Sequence, residues 1–223
     1  MSRQLILDLP PLENFTRAGL IVTPANRLAL AALDGWQGWP GGKMVLAGPS
    51  GAGKTHLARI WAADSGATVV SATALDDPDR LARHGAVAVE DADRIAGEPA
   101  AERALFHLHN LLLPAGRLLV TAATPPRDWG LGLPDLLSRM QAAPLTRLEA
   151  PDDTLLHGVL TKLFSDRQIA PPPGLISYLL TRMPRSIGAA RAVVAELDAR
   201  ALAEGRTVGL RLAAEILHDT PDD

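Results

Sequence analysis

The sequence predicts an α/β protein in which a parallel sheet flanked by helices is followed by a small all-helical domain. Two observations carry this. Short apolar runs at residues 44–47, 68–71, 87–89, 118–121 and 145–148 alternate with helical patterns, and each ends in polar residues or in Gly and Pro. That alternation is expected of parallel strands joined by helical crossovers. From about Asp152 no strand pattern remains, and amphipathic stretches at 154–166, 173–181, 186–203 and 210–217 suggest a helical bundle. Pro171, Pro172 and Pro173 read as a turn between two of these helices, because proline is harmless only at a first helical turn. The chain is accordingly expected to divide into a tail of residues 1–12, an α/β core of 13–150 and a helical lid of 151–223.

Composition narrows the function classes. With 223 residues and 47% hydrophobic content, the chain can bury one substantial core and a smaller appendage. There is no cysteine, which excludes a disulfide framework, a thiolate zinc site and a thiol nucleophile. The first residues combine an acid with two prolines, unlike a secretory signal. The longest apolar run, residues 111–123, is cut by Pro114, Gly116 and Arg117, short of the roughly 20 apolar residues a spanning helix needs. A soluble, cytoplasmic protein without a membrane partner is expected. The net charge of -3, with Lys and Arg scattered singly, gives no broad footprint for nucleic acid. His107 and His109, two apart on a predicted helix, point to different faces, and no H-E-x-x-H spacing occurs.

The most specific signal is Gly48-Pro49-Ser50-Gly51-Ala52-Gly53-Lys54-Thr55, a complete G-x-x-x-x-G-K-T placed after a predicted strand and opening a predicted helix that continues with His56. Glycines let the backbone wrap phosphates so that successive N–H groups and the helix N-terminus face the negative charge. Lys54 is expected to reach the β- and γ-phosphates and Thr55 the magnesium ion of a bound nucleotide, ATP or ADP. A magnesium site also needs a carboxylate at a neighbouring strand tip, and Ala86-Val87-Ala88-Val89-Glu90-Asp91 ends an apolar run in two acids. In one register Glu90 holds the metal and Asp91 is the candidate base. In the other Asp91 holds the metal and Ala92 leaves no base, so both registers imply slow hydrolysis. A third reading has the pair merely cap the next helix.

Arg139 falls on a short helix before the last strand, and Arg185 opens a long helix of the lid. Arginine suits γ-phosphate clamping because its planar fork matches phosphate geometry and stays charged, although either residue could also be an ordinary solvated helix charge.

With these features in this order, the chain resembles the AAA+ module of the bacterial replication initiator DnaA. It is more closely similar to the short homologues of DnaA that act as its regulatory inactivators, the Hda family. The more specific segments are Gln4 to Leu9 at the start, Arg94-Ile95-Ala96-Gly97 after the acidic pair, and Leu131-Gly132-Leu133-Pro134-Asp135-Leu136 ahead of Arg139. The resemblance implies a P-loop AAA+ core with a lid, Arg139 as an arginine finger acting in trans, Arg185 as a second sensor acting in cis, and Ile21 and Val22 against the adenine. Asn26, in the same stretch as Phe15, could equally cap the following helix. It also implies docking on the DNA polymerase III sliding clamp through Gln4, Leu5, Leu7 and Leu9. A short peptide can seat one amide and two apolar anchors in a pocket, although the three leucines fit an edge strand as well. DnaA would be the second partner, and a homo-oligomer is possible.

DnaA carries an additional DNA-binding domain, whereas this chain stops after the lid at Asp223, so sequence-specific DNA binding is disfavoured. The polar first-sensor position falls on Ala123, which together with Glu90 points to at most a weak ATPase that activates hydrolysis by a partner. Two rivals remain: an AAA+ adaptor of the helicase-loader or clamp-loader type, and a small-molecule P-loop kinase, which usually carries its arginine-rich lid within the core.

Overall fold

The computed structural model describes residues 17, 20–113 and 115–219. Among these, β1 (Lys43–Ala47), β2 (Thr68–Ser71), β3 (Ala86–Glu90), β4 (Arg117–Ala122) and β5 (Leu145–Arg147) form one sheet in the order β2-β3-β4-β1-β5. Every pairing is parallel. The α/β reading is therefore correct, and the strands fall within a residue or so of the predicted runs. β1, β3 and β4 occupy the middle of the sheet, where helices cover both faces, and their sequences are near-continuous apolar runs for that reason.

On one face, Met44, Leu46, Ala86, Ala88 and Leu119 pack against Ala29 and Leu33 of α1 (Pro24–Asp34) and Leu57, Ala58 and Trp61 of α2 (Lys54–Ser65). On the other, Val45, Val87, Val89, Leu118 and Val120 meet α3 (Pro78–Ala82), α4 (Pro99–Leu111) and α5 (Pro134–Ala142). The two-residue alternation of side chains thus assigns each strand residue to one layer. Because the strands are parallel, their C-terminal ends lie together along one edge, and the loops leaving that edge build the site.

From Asp153 onward the described elements are all helical: α6 (Asp153–Asp166), α7 (Leu175–Arg182), α8 (Ile187–Glu204) and α9 (Leu210–Asp219). They share a core of their own. Leu156, Leu160 and Phe164 on α6 recur at four-residue spacing, and they meet Ala190, Val194, Leu197 and Ala201 on α8 and Leu212, Ala213 and Ile216 on α9. One expectation needs correction: Arg185 does not open α8. Ser186 is the N-cap, its Oγ accepting the Ala189 N–H at 2.9 Å, so Arg185 precedes the helix by two residues. Among the described residues no helix is long and apolar enough to cross a membrane.

Candidate functional site

Gly48 to Thr55 joins the end of β1 to the start of α2. Gly48 has no room for a side chain, since a Cβ there would lie 2.4 Å from the Leu148 carbonyl oxygen. Gly51 and Gly53 adopt φ of +73° and +107°, a region closed to most residues. Ala52 is buried beneath the loop, whereas Pro49, Ser50 and Thr55 are exposed and His56 half-buried. The Lys54 ammonium is folded back over the loop, donating to the carbonyl oxygens of Gly48 at 2.7 Å and Pro49 at 3.1 Å. Burial lowers its pKa, and the nearby charges of Asp91, Asp93 and Glu90 partly offset that shift. A cation poised against three carboxylates beside a left-handed glycine loop is what a magnesium-bound polyphosphate requires.

Glu90 closes β3 on the same face as Ala86 and Ala88, the face that carries α2. Its Oε1 is buried and has no hydrogen-bond partner among the described residues. Such an orphaned oxygen suits a hard cation with oxygen ligands, so Glu90 and the Thr55 hydroxyl fit a magnesium site. Asp91 follows in a left-handed conformation at φ 56°, its N–H donating to Thr121 Oγ1 at 3.2 Å. Its carboxylate makes no capping bond to the short turn that begins at Ala92, so the capping reading of the acidic pair fails.

Two residues at this edge escaped the sequence reading. Thr121 is buried next to the C-terminal end of the apolar strand β4, where its hydroxyl anchors Asp91. Asp93 accepts the Ala123 N–H through Oδ2 at 3.1 Å, bringing a carboxylate to the position where Ala123 supplies no polar side chain. The signals were present as a lone threonine in an apolar run and a third acid two residues after Asp91.

The remaining predicted residues are spread around this edge. Ile21 packs on the lid, and a Cβ at Gly158 of α6 would lie 2.9 Å from Ile21 Cδ1; Val22 is 53% exposed. Asn26 is a helix cap: Oδ1 accepts the Thr23 N–H at 2.9 Å and Nδ2 donates to the Ile21 carbonyl at 2.7 Å. The start of α8 meets the glycine loop directly, the Ile187 N–H donating to the Gly51 carbonyl at 2.8 Å. Arg185 pairs instead with Asp153 at 2.9 Å, both side chains being exposed. Arg139 is exposed on α5. It sits in the last turn of that helix, which runs from the end of β4 to the start of β5. Gln4, Leu5, Leu7, Leu9 and Phe15 lie outside the described residues. Arg17 bridges Asp34 at the end of α1 and Asp64 near the end of α2, the latter at 2.7 Å.

No protein-family model matches the sequence. Among solved structures, domain III of the Thermotoga maritima replication initiation protein DnaA is similar over 95% of this chain and 98% of its own, with 18% identity and a TM-score of 0.81. AMPPCP-bound DnaA from Aquifex aeolicus is similar over 81% of this chain and 64% of its own, with 18% identity and a TM-score of 0.65. The FIGL-1 AAA domain is similar over 89% of this chain and 79% of its own, with 14% identity and a TM-score of 0.63. At such identities the likeness is one of fold: the chain shares the fold of DnaA domain III and of the FIGL-1 AAA domain.

Proposed function

We propose that this chain is an adenine-nucleotide-binding regulator of replication initiation that presents Arg139, in trans, to ATP held by DnaA, while docking on the sliding clamp through Gln4, Leu5, Leu7 and Leu9. The observation that carries the reading is the placement of two sets of residues. Lys54, Thr55, Glu90 and Asp91 lie at the C-terminal edge of the sheet, whereas Arg139 is exposed in the last turn of α5, the helix that returns from the end of β4 to the start of β5. An exposed arginine in the last turn of that helix suits service to a neighbour's nucleotide. The DnaA-like fold and the AMPPCP bound by the Aquifex aeolicus relative support adenine nucleotide, as ATP or ADP, as the ligand.

In this mechanism Lys54 turns from the loop carbonyls to the β- and γ-phosphates, and the N–H groups of Gly51 to Thr55 line the same charge. Thr55 and Glu90 would hold magnesium, which neutralises phosphate charge when bound. Asp91 is the candidate base for the chain's own slow hydrolysis. Ile21 and Val22 would cover the adenine at the junction with the lid, and Arg185 would reach the nucleotide from the lid. The core of 13–150, the lid of 151–223 and the tail of 1–12 would then work as nucleotide site, sensor and tether.

An arginine supplied in trans can be worth roughly 10³ to 10⁵ in rate. Arg139→Ala, folded and clamp-bound, is expected to lose the stimulation of hydrolysis of DnaA-bound ATP, measured as single-turnover phosphate release. Full stimulation by that variant would sink the reading, and recovery of a helicase rather than the clamp in a pull-down would replace it with the adaptor reading.

A further inference from the structure

Two segments that carry the resemblance, Arg94 to Gly97 and Leu131 to Leu136, have no part in the chemistry above. One buried side chain joins them. Glu102, in the first turn of α4, is 2% exposed, and its carboxylate accepts three backbone N–H groups. Oε1 takes those of Gly97 and Gly132, each at 3.0 Å, and Oε2 that of Leu133 at 2.7 Å.

Helical register explains the burial, since Glu102 shares a face with the buried Leu105, Leu108 and His109. A carboxylate at such a position is costly unless hydrogen bonds replace its water, and here backbone amides do so. Leu133 is the N-cap of α5, and Glu102 accepts its N–H from α4, the bond that a Glu at the third helical position makes in a capping box. Its negative charge also sits at the favourable end of the α5 dipole. Arg139 lies six residues further along α5, about 9 Å at 1.5 Å per residue, so the start of that helix sets where the guanidinium is presented.

We infer that Glu102 is a positioning residue for Arg139: it fixes the start of α5 and, through Gly97, ties it to the segment that follows Asp91 and Asp93 at the chain's own phosphate site. The inference rests on the reading that Arg139 acts in trans.

The test uses the full chain with the sliding clamp and ATP-bound DnaA, comparing wild type with Arg139→Ala, Glu102→Gln and Glu102→Asp. The maximal hydrolysis rate, the concentration giving half of it, the chain's own ADP affinity and amide hydrogen exchange at Gly97, Gly132 and Leu133 are measured. Glu102→Gln is expected to speed exchange at those amides and to lower the maximal rate about tenfold, with half-saturation and ADP affinity unchanged. Glu102→Asp, which keeps the charge, should recover part of the rate. If Arg139→Ala stimulates like wild type, the proposed function fails and the inference goes with it. If Arg139→Ala is inactive while Glu102→Gln exchanges faster and keeps the full maximal rate, the inference alone is overturned. Should Glu102→Gln not fold, Glu102→Asp decides between the same two outcomes.

Discussion

The C-terminal edge of the sheet and the helical region hold their charged residues in different ways. In the core, Lys54 is buried over the carbonyls of Gly48 and Pro49, Glu102 is buried among three amides, and Asp91 is hung by its backbone from Thr121. In the helical region Arg185 meets Asp153, and Arg206 meets Glu215 at 2.9 Å, both pairs lying at the surface. Backbone partners in a packed interior fix a side chain in one place, whereas an exposed ion pair is worth about 0–1 kcal/mol and can be exchanged cheaply. Under the proposed function the core would hold the nucleotide in fixed geometry, and Arg185 would exchange Asp153 for it.

The largest expected effect concerns His109, which is 3% exposed. Burial first, then the charges of Lys43 and Arg139, lower its pKa to about 4, while the contact with Asn110 acts the other way. Between about pH 4 and the ordinary 6.5 the unfolded chain binds the extra proton, so stability falls as pH drops through that window, by up to about 3 kcal/mol, and rises again with pH. Urea unfolding of His109→Gln should show a flatter pH profile there. An unchanged slope would mean that the core's buried histidine does not set it.

Lys54→Ala removes a charge-assisted contact worth about 1.5–3 kcal/mol, so nucleotide affinity should fall roughly tenfold to a hundredfold by fluorescence titration. A similar loss from Arg185→Ala would erase the contrast between the fixed core cation and the exchangeable lid cation. The smallest effect is expected from Asp153→Asn, which frees Arg185. Because that pair is exposed, the ratio of ATP to ADP affinity should rise by less than about fivefold. A fall in that ratio would show that Asp153 assists rather than competes.

Much of the fold was legible because its signals are local. The short apolar runs and helical patterns place strands and helices near their observed ends, and the glycine loop announces itself by the backbone freedom that its conformation demands. Glu102 could also have been found, as a charge standing in register with Leu105 and Leu108 on an apolar helical face. Its partners could not, since Gly132 and Leu133 are about thirty residues away and donate from the main chain, which carries no sequence signature. Arg185 was legible as a cation near the start of a lid helix, yet its pairing with Asp153 depends on how α6 and α8 pack.

The sequence by itself determined the strands and helices, the phosphate loop, the acidic strand end and the division of apolar residues between two regions, because each follows from neighbours along the chain. The tertiary structure decided the strand order, the face on which Glu90 lies, and the anchoring of Asp91 and Ala123 by Thr121 and Asp93. Those features arise from contacts between residues distant in sequence, where packing and backbone hydrogen bonding select one arrangement among many that the same local patterns allow.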